Sequence, residues 1–204
     1  MGETINMDIQ GARRWRSKKY TLEALLDDID TIEARMALVE QHCAIFPPTT
    51  EWCWSDDLQT LTRRSEYVKR VDRVTTANDL ELLAFNIDQA HNLGLVHGDI
   101  NRKNVLVGEK GLHLIDWEPC LQQRVRGQTV LMATRPYIDP EDLIKNKLSK
   151  RTDILGITAF ALAQFEGYEA IRQRIKLCDV SIFRLASSET AEHVIKTILQ
   201  KYPI

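Results

Sequence analysis

The stretch HGDINRKNVLV, residues 97–107, with LIDWE at residues 114–118, decides how this chain reads. It sets Asp99 and Asn104 five residues apart and brings in Asp116 at the end of the next apolar run. Residues 105–107 and 112–115 are short, apolar and rich in β-branched side chains, and Gly108-Glu109-Lys110-Gly111 between them has the composition of a hairpin turn. Loops at strand ends can aim polar side chains at a ligand while the strands bury themselves. Two carboxylates and a carboxamide so placed offer oxygen ligands to a hard divalent cation and leave one carboxylate to orient an attacking hydroxyl. Phosphoryl transfer needs that set. Taken singly, each residue has a plainer structural reading: a turn at residues 97–99, a strand start at Asn104, a cap at Asp116.

Working outward, Leu80, Leu83, Ile87 and Ala90 recur at helical spacing from Asn78, with Glu81 three residues on as in a capping box, and Gly94 stops the helix. Leu95-Val96 reads as a short strand. Further upstream, Thr21 caps a first helix carrying Leu22, Leu25, Leu26, Ile29, Ile32, Met36 and Val39 on one stripe. ARRWRSKKY before it reads as an edge strand, and residues 51–71 as two strands around Ser55-Asp56-Asp57. Downstream, Ser149 caps a helix whose stripe is Ile154, Ile157, Ala161 and Phe165, ending at Gly167.

The chain has 204 residues, 44% of them hydrophobic, enough for a real core. Its 27 basic and 29 acidic side chains are interspersed and leave a net charge of −2, without the broad positive field that drives sequence-independent nucleic-acid binding. Nucleic acid is therefore not an expected partner. No stretch approaches the roughly 20 apolar residues needed to cross a bilayer, and no signal-peptide core is present. The four cysteines form no Cys-x-x-Cys pair, which argues for a reducing compartment and against a zinc site. A soluble monomer is expected.

His97-Gly98-Asp99 with Asn104 resembles the catalytic loop of the protein-kinase-like superfamily, and LIDWE stands where that family's metal-binding Asp-Phe-Gly belongs. The resemblance implies a catalytic base in Asp99, metal ligands in Asn104 and Asp116, a structural His97, and ATP with Mg²⁺ as cofactors. ATRPYIDPEDL, residues 133–143, resembles the end of a protein-kinase activation segment, with Thr134, Tyr137, Pro140 and Glu141 on matching positions. KRTDILGITAFAL resembles the helix after it, whose acid, here Asp153, braces the catalytic loop, with Gly156 behind. Gly98 and Asp-Trp-Glu are also similar to aminoglycoside phosphotransferases and choline-kinase-like enzymes. The activation-segment resemblance tips the reading toward a protein substrate.

Departures from the pattern matter as well. Gly98 replaces the usual Arg before the catalytic Asp, so activation by phosphorylation of that segment is not expected. Asn101 stands where most serine/threonine kinases have Lys; Asn101 and Lys103 both remain candidates beside Asp99. No Gly-x-Gly-x-x-Gly occurs. Lys18 or Lys19, with Glu33, match the family's strand Lys and helix Glu that hold nucleotide phosphates, and Glu66 to Val68 match the hinge that holds adenine.

The expected fold is α+β: a minimal bilobal protein-kinase-like domain over residues 1–204. Residues 1–68 form a reduced N-lobe and 69–204 a mostly helical, shortened C-lobe. The expected activity is ATP- and Mg-dependent phosphorylation of Ser or Thr in a protein, in the manner of small kinases that bacterial pathogens deliver into host cytoplasm. The alternatives are a small-molecule phosphotransferase and a non-catalytic pseudokinase.

Overall fold

The computed structural model describes residues 3–7, 14–21, 34, 37–38, 41, 50–57, 59–66, 74–108, 111–117, 123–125, 128–130, 140–145, 147–169, 196–197 and 200. Strands β1 (Glu3–Met7), β2 (Arg14–Thr21), β3 (Thr50–Trp54) and β4 (Thr60–Glu66) make one antiparallel sheet in the order β1-β2-β4-β3. The charged strand β2 is thus central, not the edge its sequence suggested. It pairs with β1 through Glu3 opposite Lys18 and with β4 through Tyr20 opposite Leu61. The strand that covers it, ETINM, is short and has only Ile5 and Met7 apolar, too little alternation to announce itself.

The two strands expected around Ser55 are present. Their turn is closed by Ser55 Oγ donating to Asp57 Oδ1 (2.5 Å), by the Gln59 amide donating to the same oxygen (3.0 Å), and by the Thr60 amide donating to Ser55 Oγ (2.9 Å). Thr21, expected as a helix cap, closes β2 opposite Thr60. The apolar stripe proposed after it lies outside the described residues; Ala34, Ala37, Leu38 and Gln41 are helical.

Helix α1 (Ala77–Asn92) is capped two residues before the expected position, because Thr76 and Asp79, not Asn78 and Glu81, form the capping box. The Thr76 side chain accepts from the Asp79 amide at 3.2 Å, and Asp79 accepts from the Thr76 amide at 2.8 Å. The expected stripe is buried: Leu80, Leu83, Ile87 and Ala90 are all 0% exposed. Leu95, expected in a strand, instead closes the helix: Gly94 turns left-handed (φ 78°), its amide donates to His91 O, and the Leu95 amide donates to Ala90 O. These are the two bonds of a Schellman motif.

Strands β5 (Val105–Gly108) and β6 (Gly111–Leu114) form the expected hairpin, with Val105 opposite Leu114. A second hairpin, β7 (Gln123–Val125) with β8 (Gln128–Val130), was not anticipated. Helix α2 (Pro140–Lys145) and helix α3 (Lys150–Glu166) follow. From residue 152 to 163 every residue of α3 is buried, so the four-residue stripe understates it: a helix buried on all sides lies inside the core. There Ile154, Ile157, Phe160 and Ala161 meet α1 and the first hairpin around Trp117. Each fully buried Leu or Ile contributes about 1.5–3 kcal/mol relative to exposure. Among the described residues no helix is long and apolar enough to cross a membrane.

Candidate active site

The loop from His97 to Asn104 is held from below by α3. Asp153, 0% exposed, accepts the His97 amide on Oδ2 (2.8 Å) and the Gly98 amide on Oδ1 (2.6 Å), while His91 from the last turn of α1 bonds Oδ2 at 2.9 Å. A buried carboxylate without such partners would be costly, so this acid and the two amides fix one another. One turn on, Gly156 lets α3 approach the loop backbone: a Cβ there would stand 2.6 Å from Ile100 O. The bracing role expected of Asp153 is what the structure shows.

The ring of His97 joins this loop to the hairpin. Its Nδ1 accepts the Asp99 amide (3.1 Å), so the proton sits on Nε2, which donates to Ile115 O (2.9 Å). Trp117, fully buried, packs edge-on against the same ring with centroids 4.9 Å apart.

Asp99 is gripped by two amides, one on each carboxylate oxygen. Asn101 Nδ2 donates to Oδ1 (2.9 Å) and Asn104 Nδ2 to Oδ2 (2.9 Å), and both also donate to the Asp99 carbonyl, at 3.0 and 2.9 Å. Because each neighbour of Asn104 Nδ2 is acceptor-only, the amide orientation is forced and its Oδ1 faces away from Asp99. Asn101, 3% exposed, also accepts the Lys103 amide on Oδ1 at 2.8 Å. Its side chain thus shapes the loop around Asp99, whereas the Lys103 side chain is exposed.

Asp116 is tied to this group through its neighbour. The Ile115 amide donates to Asn104 O (2.9 Å) while Ile115 O accepts from His97, so the backbone one residue before Asp116 is fixed on both sides. Asp116 itself is partly buried and left-handed (φ 62°), a conformation Asp tolerates better than most residues and that the surroundings must over-determine. The structure therefore brings Asp99 and Asn104 into direct contact and ties the residue before Asp116 to Asn104 through the backbone.

Of the expected phosphate-binding residues, Lys18 and Lys19 lie on β2. Lys19 is exposed and pairs with Thr62 in register with Cys53, also exposed. Lys18, opposite Arg63, shares strand parity with Tyr20 and Leu61, and Leu61 is 0% exposed. Glu66 ends β4 opposite Trp15. Glu33 and Val68 lie outside the described residues, as do Thr134 and Tyr137.

Two features were not read from the sequence. Gly98 is left-handed (φ 79°), and a Cβ there would fall on Leu148 Cδ1. Leu148 thus occupies the space where a side chain at residue 98 would begin. Asp142, rather than the matched Glu141, is the buried acid of α2: Asp142 is 6% exposed, and its Oδ2 accepts the Ser149 amide (2.7 Å), Ser149 Oγ (2.7 Å) and Thr152 Oγ1 (2.6 Å). Glu141 is exposed and pairs with Lys145, which holds its carboxyl below the usual range. The signal was present: Ser149 is followed by Lys, Arg and Thr, so no acid occupies the first three positions of α3.

No family model matches the chain. In sequence it is 29% identical to a tRNA (guanine-N(7)-)-methyltransferase of Christiangramia forsetii over 104 residues, covering 47% of this chain and 46% of that protein. The chain thus spans under half the length of the curated relative it matches. In structure it resembles the Cydia pomonella granulovirus kinase PK-1, with a TM-score of 0.66 and 14% identity, over 97% of this chain and 82% of that one. The fold is α+β and protein-kinase-like.

Proposed function

We propose that the protein is an ATP- and Mg²⁺-dependent phosphotransferase that acts on Ser or Thr of a protein substrate. The observation that carries this reading is the double amide grip on Asp99, by which Asn101 and Asn104 hold a partly exposed carboxylate in one orientation. Two N–H bonds use two of the roughly four lone-pair directions of a carboxylate.

In the reaction, Asp99 accepts the proton of the attacking hydroxyl as its oxygen bonds the γ-phosphorus and the bond to the bridging oxygen of ATP breaks, releasing ADP. Asn104, through Oδ1, and Asp116 would hold magnesium, which neutralises charge on the phosphates when bound. The donor set fits, being all hard oxygen. Asn101 positions Asp99, and Lys103, exposed four residues after that acid, is the candidate cation for the transferring group, the neighbouring Arg102 lying over the Tyr168 ring. Lys18 on β2 is the candidate for the nucleotide phosphates, with Glu33 as its partner and residues 66–68 as the adenine hinge. The net charge of −2 offers tRNA no electrostatic footing, so the partial likeness to a tRNA-modifying enzyme does not enter this reading. Delivery into a host cell belongs to the proposal only as a reading of the chain's size.

Incubation with γ-labelled ATP and magnesium, with generic protein substrates or with small alcohols, tests it. Label should enter protein from the wild type and not from Asp99→Ala or Asp116→Ala. Label in small alcohols alone would favour a small-molecule phosphotransferase, and label in neither a binding module.

A further inference from the structure

We propose that Asp142 is a positioning residue that couples α2 to the loop bearing Asp99, through the first turn of α3. Its role in catalysis rests on the phosphotransferase reading; its role in holding the loop does not.

The chain of contacts is continuous. Ser149 is the N-cap of α3 but makes no capping bond with its own side chain. Asp142 supplies the missing acceptor from another helix, taking the Ser149 amide and hydroxyl and the Thr152 hydroxyl on one oxygen, while its carbonyl accepts the Lys147 amide at 3.0 Å. It also places negative charge at the N-terminal end of α3. Residues on both sides of this cap reach the loop. Leu148, just before it, lies against Gly98, and Asp153, just after it, takes the His97 and Gly98 amides. Loss of the cap releases the brace and the packing together, because both sit within five residues of Ser149.

Glu141, one residue earlier, is the control. It is exposed, ion-paired with Lys145 within α2, and feels the charge of Arg151 at the start of α3, but it is not the acceptor that caps that helix.

The test is amide hydrogen exchange on the full chain, which reports local opening where tertiary support is lost. In Asp142→Ala, exchange at His97 and Gly98 should rise about tenfold or more, the scale expected for losing bonds to a charged acceptor. The β5–β6 hairpin should keep its protection. Asp142→Asn retains an acceptor oxygen and should fall between, and Glu141→Ala should match the wild type. In phosphotransfer, Asp142→Ala should lower kcat about tenfold and leave KM for MgATP unchanged. Should Asp142→Ala fail to fold, Thr152→Val, which removes one donor at nearly constant volume, must still raise exchange at His97 and Gly98. Unchanged exchange there in every folded variant overturns the proposal. A wild type without phosphotransfer would remove the proposed function, and exchange would still decide the positioning role.

Discussion

Asn104 reaches Asp99 twice with one nitrogen, donating to its carbonyl and to its carboxylate Oδ2, both at 2.9 Å. This fixes the backbone and the side chain of Asp99 against the same amide, so neither can rotate independently. Replacement of Asn104 by Asp would remove both donors and set a second carboxylate against the first. Asn104→Asp should therefore lower kcat by about 10²-fold or more, and steady-state phosphotransfer with varied magnesium measures it. Asn101→Ala, which leaves one of the two grips, should cost less than Asn104→Asp in the same assay.

Gly98 is required twice over, by its left-handed backbone and by Leu148. Gly98→Ala should destabilise the fold by about 1–3 kcal/mol in urea unfolding. The pair Gly98→Ala with Leu148→Ala should be less destabilised than the sum of the single changes, because truncating Leu148 relieves the overlap while the backbone strain stays. Gly98→Arg should not restore phosphorylation-dependent activation, since no side chain can leave residue 98 without displacing Leu148.

Strand parity separates the two lysines of β2. Lys19 shares the exposed side of the sheet with Cys53, while Lys18 shares parity with the buried Leu61. Lys18→Ala should raise KM for MgATP about tenfold or more, and Lys19→Ala should change it less than twofold, as read from initial rates at varied ATP.

His113 lies on β6 with its ring over Gly108, whose added Cβ would meet the ring carbon at 2.7 Å. Burial lowers its pKa from 6.5, so the folded chain binds this proton less readily than the unfolded one. Stability from this group is present above pH 6.5 and declines as pH falls below it, until the folded pKa is passed. Urea midpoints between pH 5 and 8 should fall on the acid side, and His113→Gln should flatten that limb.

Much of the fold could be read in the sequence where periodicity was strong. The α1 stripe at Leu80, Leu83, Ile87 and Ala90, and the hairpin around Gly108 and Gly111, needed no tertiary knowledge because each buries one face at its own period. Errors fell where a local pattern admitted two partners. The α1 cap was assigned to Asn78 and Glu81, while Thr76 and Asp79 offer the same donor and acceptor two residues earlier. The central place of β2 and the buried character of α3 depend on what packs across from them, which no window of one strand or helix contains. In the site, residues 97–104 and 116 were legible because they are close in sequence. Asp142 was not: its partners lie seven and ten residues away, and Glu141 beside it drew the assignment.

In the proposed reaction Asp99 and Asp116 divide the work between them. MgATP affinity by calorimetry, measured beside labelled phosphoryl transfer for wild type, Asp99→Asn and Asp116→Asn, separates the two roles. Asp99→Asn should bind MgATP within about twofold of wild type yet transfer no phosphate, and Asp116→Asn should lose magnesium-dependent nucleotide binding. An Asp116→Asn protein that binds MgATP as wild type does, or an Asp99→Asn protein that still phosphorylates substrate, would contradict it.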